Sequence, residues 1–110
     1  NFNKWWGFLK DNYKNAIVIT EYGGLYNDDP SYQDYLWHNK LVDYLIKINQ
    51  RNTFYWCLNP DSKDTKGVLY DDWSTPNYQK LQLLNRLQPE PTVINFPKIN
   101  SQRYLRKSFK

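Results

Sequence analysis

The sequence predicts an α/β fold in which two parallel strands are connected by a helix. The first observation is an unbroken apolar and β-branched run at residues 16–20, and the second is a strand-like run rich in aromatic residues at 53–58. The third is a one-sided helical pattern between the two runs. Roughly 30 residues separate the runs, too many for a hairpin but enough for a crossover, so the strands should be parallel.

The first helix and the first strand are predicted from the N-terminal part of the chain. Large apolar residues recur there at spacings of three and four, which favours an amphipathic helix over residues 2–14: Phe2, Trp5, Trp6, Leu9 and Tyr13. The run Ala16 to Thr20 is typical of a strand buried on both faces of a parallel sheet. The strand is expected to stop at Glu21, because the following Gly23-Gly24 pair and an Asp-Pro step predict a loop.

Two further helices and the second strand follow. Helical spacing runs from Ser31 to about Asn49, with Ser31 and Asp34 as a possible N-cap pair. The strand predicted over residues 53–58 ends at an Asn-Pro step. Residues 60–75 are expected to form a long ordered loop. A last helix is predicted from about Pro76 to Leu87, with Ser74 or Thr75 as its N-cap.

Composition limits the class of protein. Of the 110 residues, 40% are hydrophobic and 18% aromatic, which is too apolar for intrinsic disorder. The mean hydropathy of −0.89 and the lack of a long apolar run exclude a membrane span. With a single cysteine and a single histidine, the chain lacks the ligand clusters that zinc or iron–sulfur sites require. We therefore expect no metal and no cofactor.

Charge is unevenly distributed along the chain. The net charge of +4 arises because residues 92–110 carry five cations and no acid, whereas residues 1–91 are close to neutral. We expect residues 1–91 to form one folded portion and residues 92–110 to be a basic tail or linker. A basic tail near aromatic residues is also compatible with nucleic-acid binding. A solvated terminus explains five scattered charges more simply, so no nucleic-acid partner is expected.

Glu21 is the sharpest candidate for catalysis. It directly follows an apolar run, at the end of the strand where parallel α/β folds bind ligands. The alternative is a loop carboxylate that caps a turn or pairs with a lysine. Trp56 lies near the corresponding end of the second strand, where its indole could stack on a sugar ring beside the carboxylate. For Trp56, simple packing in the core is an almost equal alternative.

The other chemically active side chains are given structural roles. Six aspartates in predicted loops are expected to bond within turns or to helix starts: Asp28, Asp29, Asp61, Asp64, Asp71 and Asp72. His38 has no second histidine or cysteine nearby, so it is expected to be a packed or surface residue rather than a metal ligand. Cys57 lies inside a predicted strand and is expected in the core.

Four stretches of the sequence resemble a known family. They are IVITEYGG at 17–24, LWHNKLVDYLIK at 36–47, NTFYWCLNPDSKDT at 52–65 and GVLYDDWSTPN at 67–77. In this order, over residues 5–91, they resemble the C-terminal part of a family 5 glycoside hydrolase of the cellulase-type endoglucanase kind. The resemblance implies a secreted, monomeric enzyme that acts on a β-glucan polysaccharide or oligosaccharide.

The same resemblance implies a fold and two site residues. The family fold is a (β/α)8 TIM barrel, and residues 16–20 and 53–58 match its seventh and eighth strands. Glu21 matches the catalytic nucleophile of a retaining mechanism, and Trp56 matches the aromatic platform beneath the sugar next to the cleaved bond. The chain departs from the family at Lys66, where the first of two glycines is usual.

The family's second catalytic carboxyl is not found in this sequence. Its acid/base glutamate follows an asparagine, and no Asn-Glu pair occurs in the chain. Since such barrels need about 250 residues, we expect this chain to be a fragment that carries the nucleophile alone, is inactive by itself and is poorly stable. The alternative hypothesis is a non-catalytic carbohydrate-binding or vestigial fragment.

Overall fold

The computed structural model describes residues 1–12, 16–88 and 90 of the chain. Two strands form a parallel pair, β1 at Ile19–Tyr22 and β2 at Thr53–Tyr55, which confirms the predicted parallel arrangement. Within the described residues each strand pairs only with the other. The crossover between them contains the helix α2, at Gln33–Lys47, as the sequence predicts.

Helical segments surround this pair. A π-helical segment at Asn3–Gly7 continues directly into the short helix α1 at Phe8–Asn12, where one continuous amphipathic helix is expected. A 3₁₀ turn at Tyr26–Asp28 follows β1. The last helix, α3, spans Tyr78–Asn85, which is shorter at both ends than predicted. The predicted end of the first helix near Asn15 and the tail at 92–110 lie outside the described residues.

The strands differ from the predicted ones in position and length. The first begins at Ile19 rather than Ala16 and includes Glu21, because the backbone bonds to the second strand begin only where Ile19 N–H donates to Asn52 O, at 3.0 Å. The second strand ends at Tyr55 rather than Leu58. The prediction that residues 16–20 are buried on both faces is also wrong for the described residues, since Val18 is 49% exposed.

One irregularity in the pairing decides where Glu21 points. Ile19 is paired with Thr53 and Tyr22 with Tyr55, so β1 uses one more residue than β2 over the same length. Side chains of a regular strand alternate between its faces, and an extra residue interrupts that alternation. Thr20 and Glu21 are accordingly both exposed, although they are neighbours.

Of the predicted capping residues only Ser31 contributes, because its Oγ accepts from the backbone N–H of Gln33 at 3.4 Å. At α2 the cap residue Tyr32 has a left-handed backbone and no capping side chain. The carboxylate of Asp29 instead accepts hydrogen bonds from the backbone N–H groups of Ser31, at 3.0 Å, and Asp34, at 2.8 Å. At α3 the cap is Asn77, whose side chain accepts from Lys80 N, rather than Ser74 or Thr75.

The core is small and lies between α2 and α3. Its fully buried apolar residues come from these two helices, their flanking turns and the 3₁₀ segment: Tyr26, Leu41, Val42, Leu45, Leu83 and Leu87. Ile19 and Tyr22 of β1 pack against this cluster from the strand side. In the part of the chain that the structure describes, no helix combines the length and the apolar character that crossing a membrane requires.

Replacement of Leu45 by alanine tests this core. Leu45 is completely buried, so Leu45→Ala should lower the free energy of unfolding by about 2–5 kcal/mol through lost burial and a residual cavity. The matched control on the same helix is Leu36→Ala, because Leu36 is 41% exposed and should cost only about 0.5 kcal/mol. Urea unfolding of both variants measures the difference, and equal losses would contradict the assignment of the core.

Candidate active site

Glu21 stands exposed on the wall of an apolar cavity. The cavity has a volume of about 540 Å³, and its other walls come from the N-terminal helical segment, the chain before β1, and α2. Its lining includes Trp5, Val18 and Trp37, which are all at least 40% exposed. Within the described ranges the only ion pair joins Arg86 to Asp43. The alternative role of Glu21 as the partner of a lysine is therefore not found among these residues.

Trp56 follows directly after β2 and is joined to the backbone next to Glu21. Its N–H donates to Tyr22 O at 2.8 Å, and the carbonyl of Trp56 packs against Gly23. Trp56 is 52% exposed, so it is not packed in the core that the described residues form. Trp56 is not among the described residues that line the cavity beside Glu21. Glu21 and Trp56 thus lie at the same end of the strand pair, but of the two only Glu21 lines that cavity.

Polar contacts from α2 and β2 hold the turn that follows Glu21. The N–H of Leu25 donates to the carboxylate of Asp34 at 2.7 Å, and the Tyr55 hydroxyl donates to Gly24 O at 3.1 Å. Burial raises the pKa of Tyr55 well above its usual range, so the hydroxyl keeps the proton that this bond requires. The backbone on the C-terminal side of Glu21 is therefore fixed by both neighbouring elements.

The two glycines of this turn allow unusually close packing. A Cβ atom at Gly24 would collide with the ring of His38 and lie 2.6 Å from the Asp34 carboxylate. A Cβ at Gly23 would collide with the Trp56 carbonyl and lie 3.0 Å from the Thr65 methyl group. Glycine is needed here because these neighbours occupy the space of a side chain.

His38 is fully buried beneath this turn. Its Nδ1 lies 2.8 Å from the carbonyl oxygen of Asp34, so Nδ1 carries the proton, and Nε2 has no hydrogen-bond partner among the described residues. Burial lowers the pKa of His38 from its usual value, against smaller raising effects of Asp34. The histidine is therefore a neutral packing residue, one of the two roles expected of it.

The loop after Trp56 is ordered by backbone bonds and by one buried lysine. Val68 N–H donates to Cys57 O at 2.9 Å, and Asn77 N–H donates to Val68 O at 2.8 Å. The ammonium group of Lys80, which is 1% exposed, donates to the carbonyls of Thr65 and Gly67. This confirms the predicted long ordered loop, and burial lowers the pKa of Lys80. Cys57, expected in the core, is only partly buried.

Lys66 adopts the backbone conformation that a glycine would favour. Its φ is +52°, and the adjacent Gly67 has φ of +55°. Positive φ values are disfavoured for residues with a side chain. The lysine at this departure from the family pattern is therefore accommodated in a left-handed backbone.

Two of the aspartates have the turn-forming role that was predicted. The carboxylate of Asp29 accepts from Ser31 and Asp34, and that of Asp72 accepts from Ser74 N, at 3.0 Å, and Thr75 N, at 2.8 Å. These hydrogen bonds lower the pKa of Asp29, and they lower that of Asp72 to about 2. In the described segments, no group of three or more potential ligand side chains could hold a metal ion.

Sequence reasoning missed the residues that support the site. Asp34 and Tyr55 act through contacts with a turn that is remote in sequence, and nothing in their local pattern indicates this. Lys80 left a weak signal, because it is one turn before Leu83 and Leu84 on the apolar side of the predicted helix.

The bond between Leu25 and Asp34 can be tested by amide exchange. Asp34→Ala removes the acceptor, so the Leu25 amide should exchange with solvent about tenfold faster, as expected for the loss of one bond to a charged group. Asp34→Asn keeps an acceptor oxygen and should restore most of the protection. Hydrogen–deuterium exchange followed by NMR measures both, and unchanged exchange in Asp34→Ala would contradict the contact.

The buried histidine predicts how stability depends on pH. Because the folded-state pKa of His38 is lowered, the unfolded chain binds a proton more readily. The free energy of unfolding should therefore fall as the pH drops through about 6.5, the value in the unfolded chain, until the pH passes below the folded-state pKa. The lowered pKa values of Asp29 and Asp72 act only below about pH 4.

Urea unfolding between pH 7.5 and 4.5 measures this dependence. His38→Gln has no titrating group at this position and should show a flatter profile than the unchanged chain, whatever its absolute stability. His38 is the only histidine of the sequence, which makes the comparison specific. Identical slopes in the two proteins would show that the histidine titrates equally in both states.

This chain has relatives among known proteins, both by sequence and by structure. No model of a known protein family matches the sequence. The endoglucanase of Paenibacillus polymyxa is 40% identical over 88 residues, which are 80% of this chain and 21% of the relative. The major extracellular endoglucanase of Xanthomonas campestris is 39% identical over 72 residues, or 66% of this chain and 15% of the relative. The chain thus spans about a fifth or less of the length of these curated relatives.

A solved structure supports the same relationship. An endocellulase from Pyrococcus horikoshii, in complex with cellotetraose, superposes with a TM-score of 0.74 at 41% sequence identity. The match covers 78% of this chain and 23% of the endocellulase. The sequence and structure matches together confirm the resemblance: the chain is homologous to one stretch of the cellulase-type endoglucanases of glycoside hydrolase family 5.

Proposed function

We propose that this chain forms part of the active site of a retaining β-1,4-glucanase, in which Glu21 is the nucleophile and Trp56 is a sugar platform. The observation that carries the proposal is the irregular pairing of β1, which leaves the Glu21 carboxylate exposed beside the strand end where Trp56 begins. The homology to endoglucanases supplies the class of substrate, a β-glucan polysaccharide or oligosaccharide.

The reaction would proceed in two displacements. The Glu21 carboxylate attacks the anomeric carbon, and the bond to the leaving sugar breaks as its oxygen takes a proton from an acid residue. Water then attacks the glycosyl ester, assisted by the same residue acting as a base, and Glu21 is released as a carboxylate. The exposed Trp56 indole offers an apolar face on which a sugar ring can stack.

We place β1 and β2 as the seventh and eighth strands of a (β/α)8 barrel. Their parallel pairing across a helical crossover supports this. Further support comes from the apolar cavity beside β1, whose side chains have the character of a surface covered by another element. In this arrangement Glu21 and Trp56 lie at the carboxyl ends of the strands, where barrel enzymes keep their catalytic residues.

The remaining parts of the enzyme are proposed to come from sequence outside these 110 residues. A retaining mechanism needs a second carboxyl about 5 Å from the nucleophile, and the only other glutamate of the chain is Glu90, which lies outside both strands. We propose that the whole enzyme is a secreted monomer, with support for secretion from the extracellular relative.

Replacement of the two glutamates tests the nucleophile. In the complete protein that carries this sequence, Glu21→Gln should reduce hydrolysis of carboxymethylcellulose by about a thousandfold or more, because the amide cannot form the glycosyl ester. Glu90→Gln is the matched control and should leave the rate unchanged. The release of reducing ends measures both, and equal activity of Glu21→Gln and the unchanged protein would refute the role.

Covalent trapping distinguishes catalysis from binding alone. A 2-deoxy-2-fluoro cellobioside with a good leaving group should add one glycosyl mass to the peptide that contains Glu21, and Glu21→Gln should remain unlabelled. Because the sequence contains no Asn-Glu pair, a non-catalytic carbohydrate-binding fragment is the competing function. Binding of oligosaccharide without labelling or turnover by the complete protein would favour it.

A further inference from the structure

A second cleft lies between α2 and α3, apart from Glu21 and Trp56. Its volume is about 430 Å³, within the range of sites for small ligands. One part of the wall is formed by three tyrosines and another by three amide side chains: Tyr26, Tyr32, Tyr35, Asn39, Gln79 and Gln82. The cleft and the cavity beside Glu21 have no lining residue in common.

The tyrosines of this cleft form a rigid stack. Tyr35 lies between Tyr26 and Tyr32, with ring centroids 4.8 Å and 4.5 Å apart and interplanar angles of 23° and 19°. Tyr26 is buried at one end of the stack, whereas Tyr32 is 54% exposed at the other. The outer ring is therefore supported from behind and presents aromatic surface with little conformational freedom to lose on binding.

The three amide side chains differ in whether they already make hydrogen bonds within the protein. Asn39 is already engaged, since its Nδ2 donates to Tyr35 O at 2.9 Å and lies 3.4 Å from the Tyr26 hydroxyl. Gln79 and Gln82 are exposed on α3, and their side chains make no hydrogen bond within the described residues. Each of these amides can both donate to and accept from a ligand hydroxyl.

The cleft carries little net charge. Among its described lining residues the one charged side chain is Arg86, which forms an ion pair with Asp43 on α2 and also donates to the side-chain oxygen Oδ1 of Asn39. An anion would have to compete with Asp43 for the guanidinium group. A neutral ligand with many hydroxyl groups and an apolar face fits this lining better than a phosphate or a carboxylate does.

We propose that this cleft is a second glucan-binding site, in which Tyr32 provides a stacking surface and Gln79 and Gln82 bind hydroxyl groups of a neutral oligosaccharide. The site would hold a polymer chain on the outer helical surface while another part of the same polymer occupies the catalytic end of the strands. The inference relies on the proposed function for the choice of a β-1,4-glucan as its ligand and for the catalytic end of the strands.

Titration of the complete protein that carries this sequence with cellohexaose tests the site. The side-chain amide signals of Gln79 and Gln82 should shift in NMR spectra as cellohexaose is added. Gln82→Ala should weaken the affinity about three- to tenfold, as expected for the loss of one or two hydrogen bonds. Tyr32→Ala should weaken it about tenfold. Tyr78→Ala is the matched control on α3, because Tyr78 is 67% exposed and does not line the cleft.

The Trp56→Ala variant separates this inference from the proposed function. The amide shifts of Gln79 and Gln82 should persist in that variant, because Trp56 does not line the cleft. If Trp56→Ala abolishes all binding while Gln82→Ala and Tyr32→Ala bind normally, the inference is wrong but the proposed active site stands. If cellohexaose leaves the amide signals of Gln79 and Gln82 unchanged, the inference is likewise overturned, whatever the activity of the Glu21 variants.

Discussion

The parallel pairing of β1 with β2, with one extra residue in β1, determines where the chemically active side chains lie. A regular pairing would place Thr20 and Glu21 on opposite faces of the strand. The extra residue lets both be exposed and still leaves Tyr22 opposite Tyr55, with their rings 5.4 Å apart in an edge-to-face contact. Glu21 is thus presented on a strand whose first and last residues, Ile19 and Tyr22, remain packed against the core.

The turn that follows Glu21 fixes the backbone next to this carboxylate. It is held from α2 by Asp34 and from β2 by Tyr55, and the missing side chains of Gly23 and Gly24 let Trp56 and His38 approach closely. A polar side chain on a loop would sample many directions, whereas here the flanking backbone is fixed on both sides. Preorganisation of this kind suits the role proposed for Glu21, because a fixed carboxylate needs little reorganisation to react.

Local pattern was sufficient for the element types but not for their limits. The apolar run before Glu21 predicts a strand correctly, yet its start depends on the bond between Ile19 and Asn52, which no local pattern reveals. Ser31 accepts from Gln33 N–H as its pattern predicts, but Asp29 and Asn77, rather than Asp34 and Thr75, accept from the other free N–H groups. Strand ends and motifs suffice to name Glu21 and Trp56 as candidate site residues. Asp34 and Tyr55 could not, since their roles exist only after the chain has folded.

The contacts of Lys80 have a consequence for how the protein opens. Its ammonium group links α3 to the carbonyls of Thr65 and Gly67. If α3 detached, the two carbonyls would lose their donor, and if the loop loosened, a buried cation would lose its acceptors. Movement of either segment alone would therefore cost free energy. The loop beside Trp56 and the last helix should therefore behave as one cooperative unit, so that opening of α3 also loosens the loop that follows Trp56.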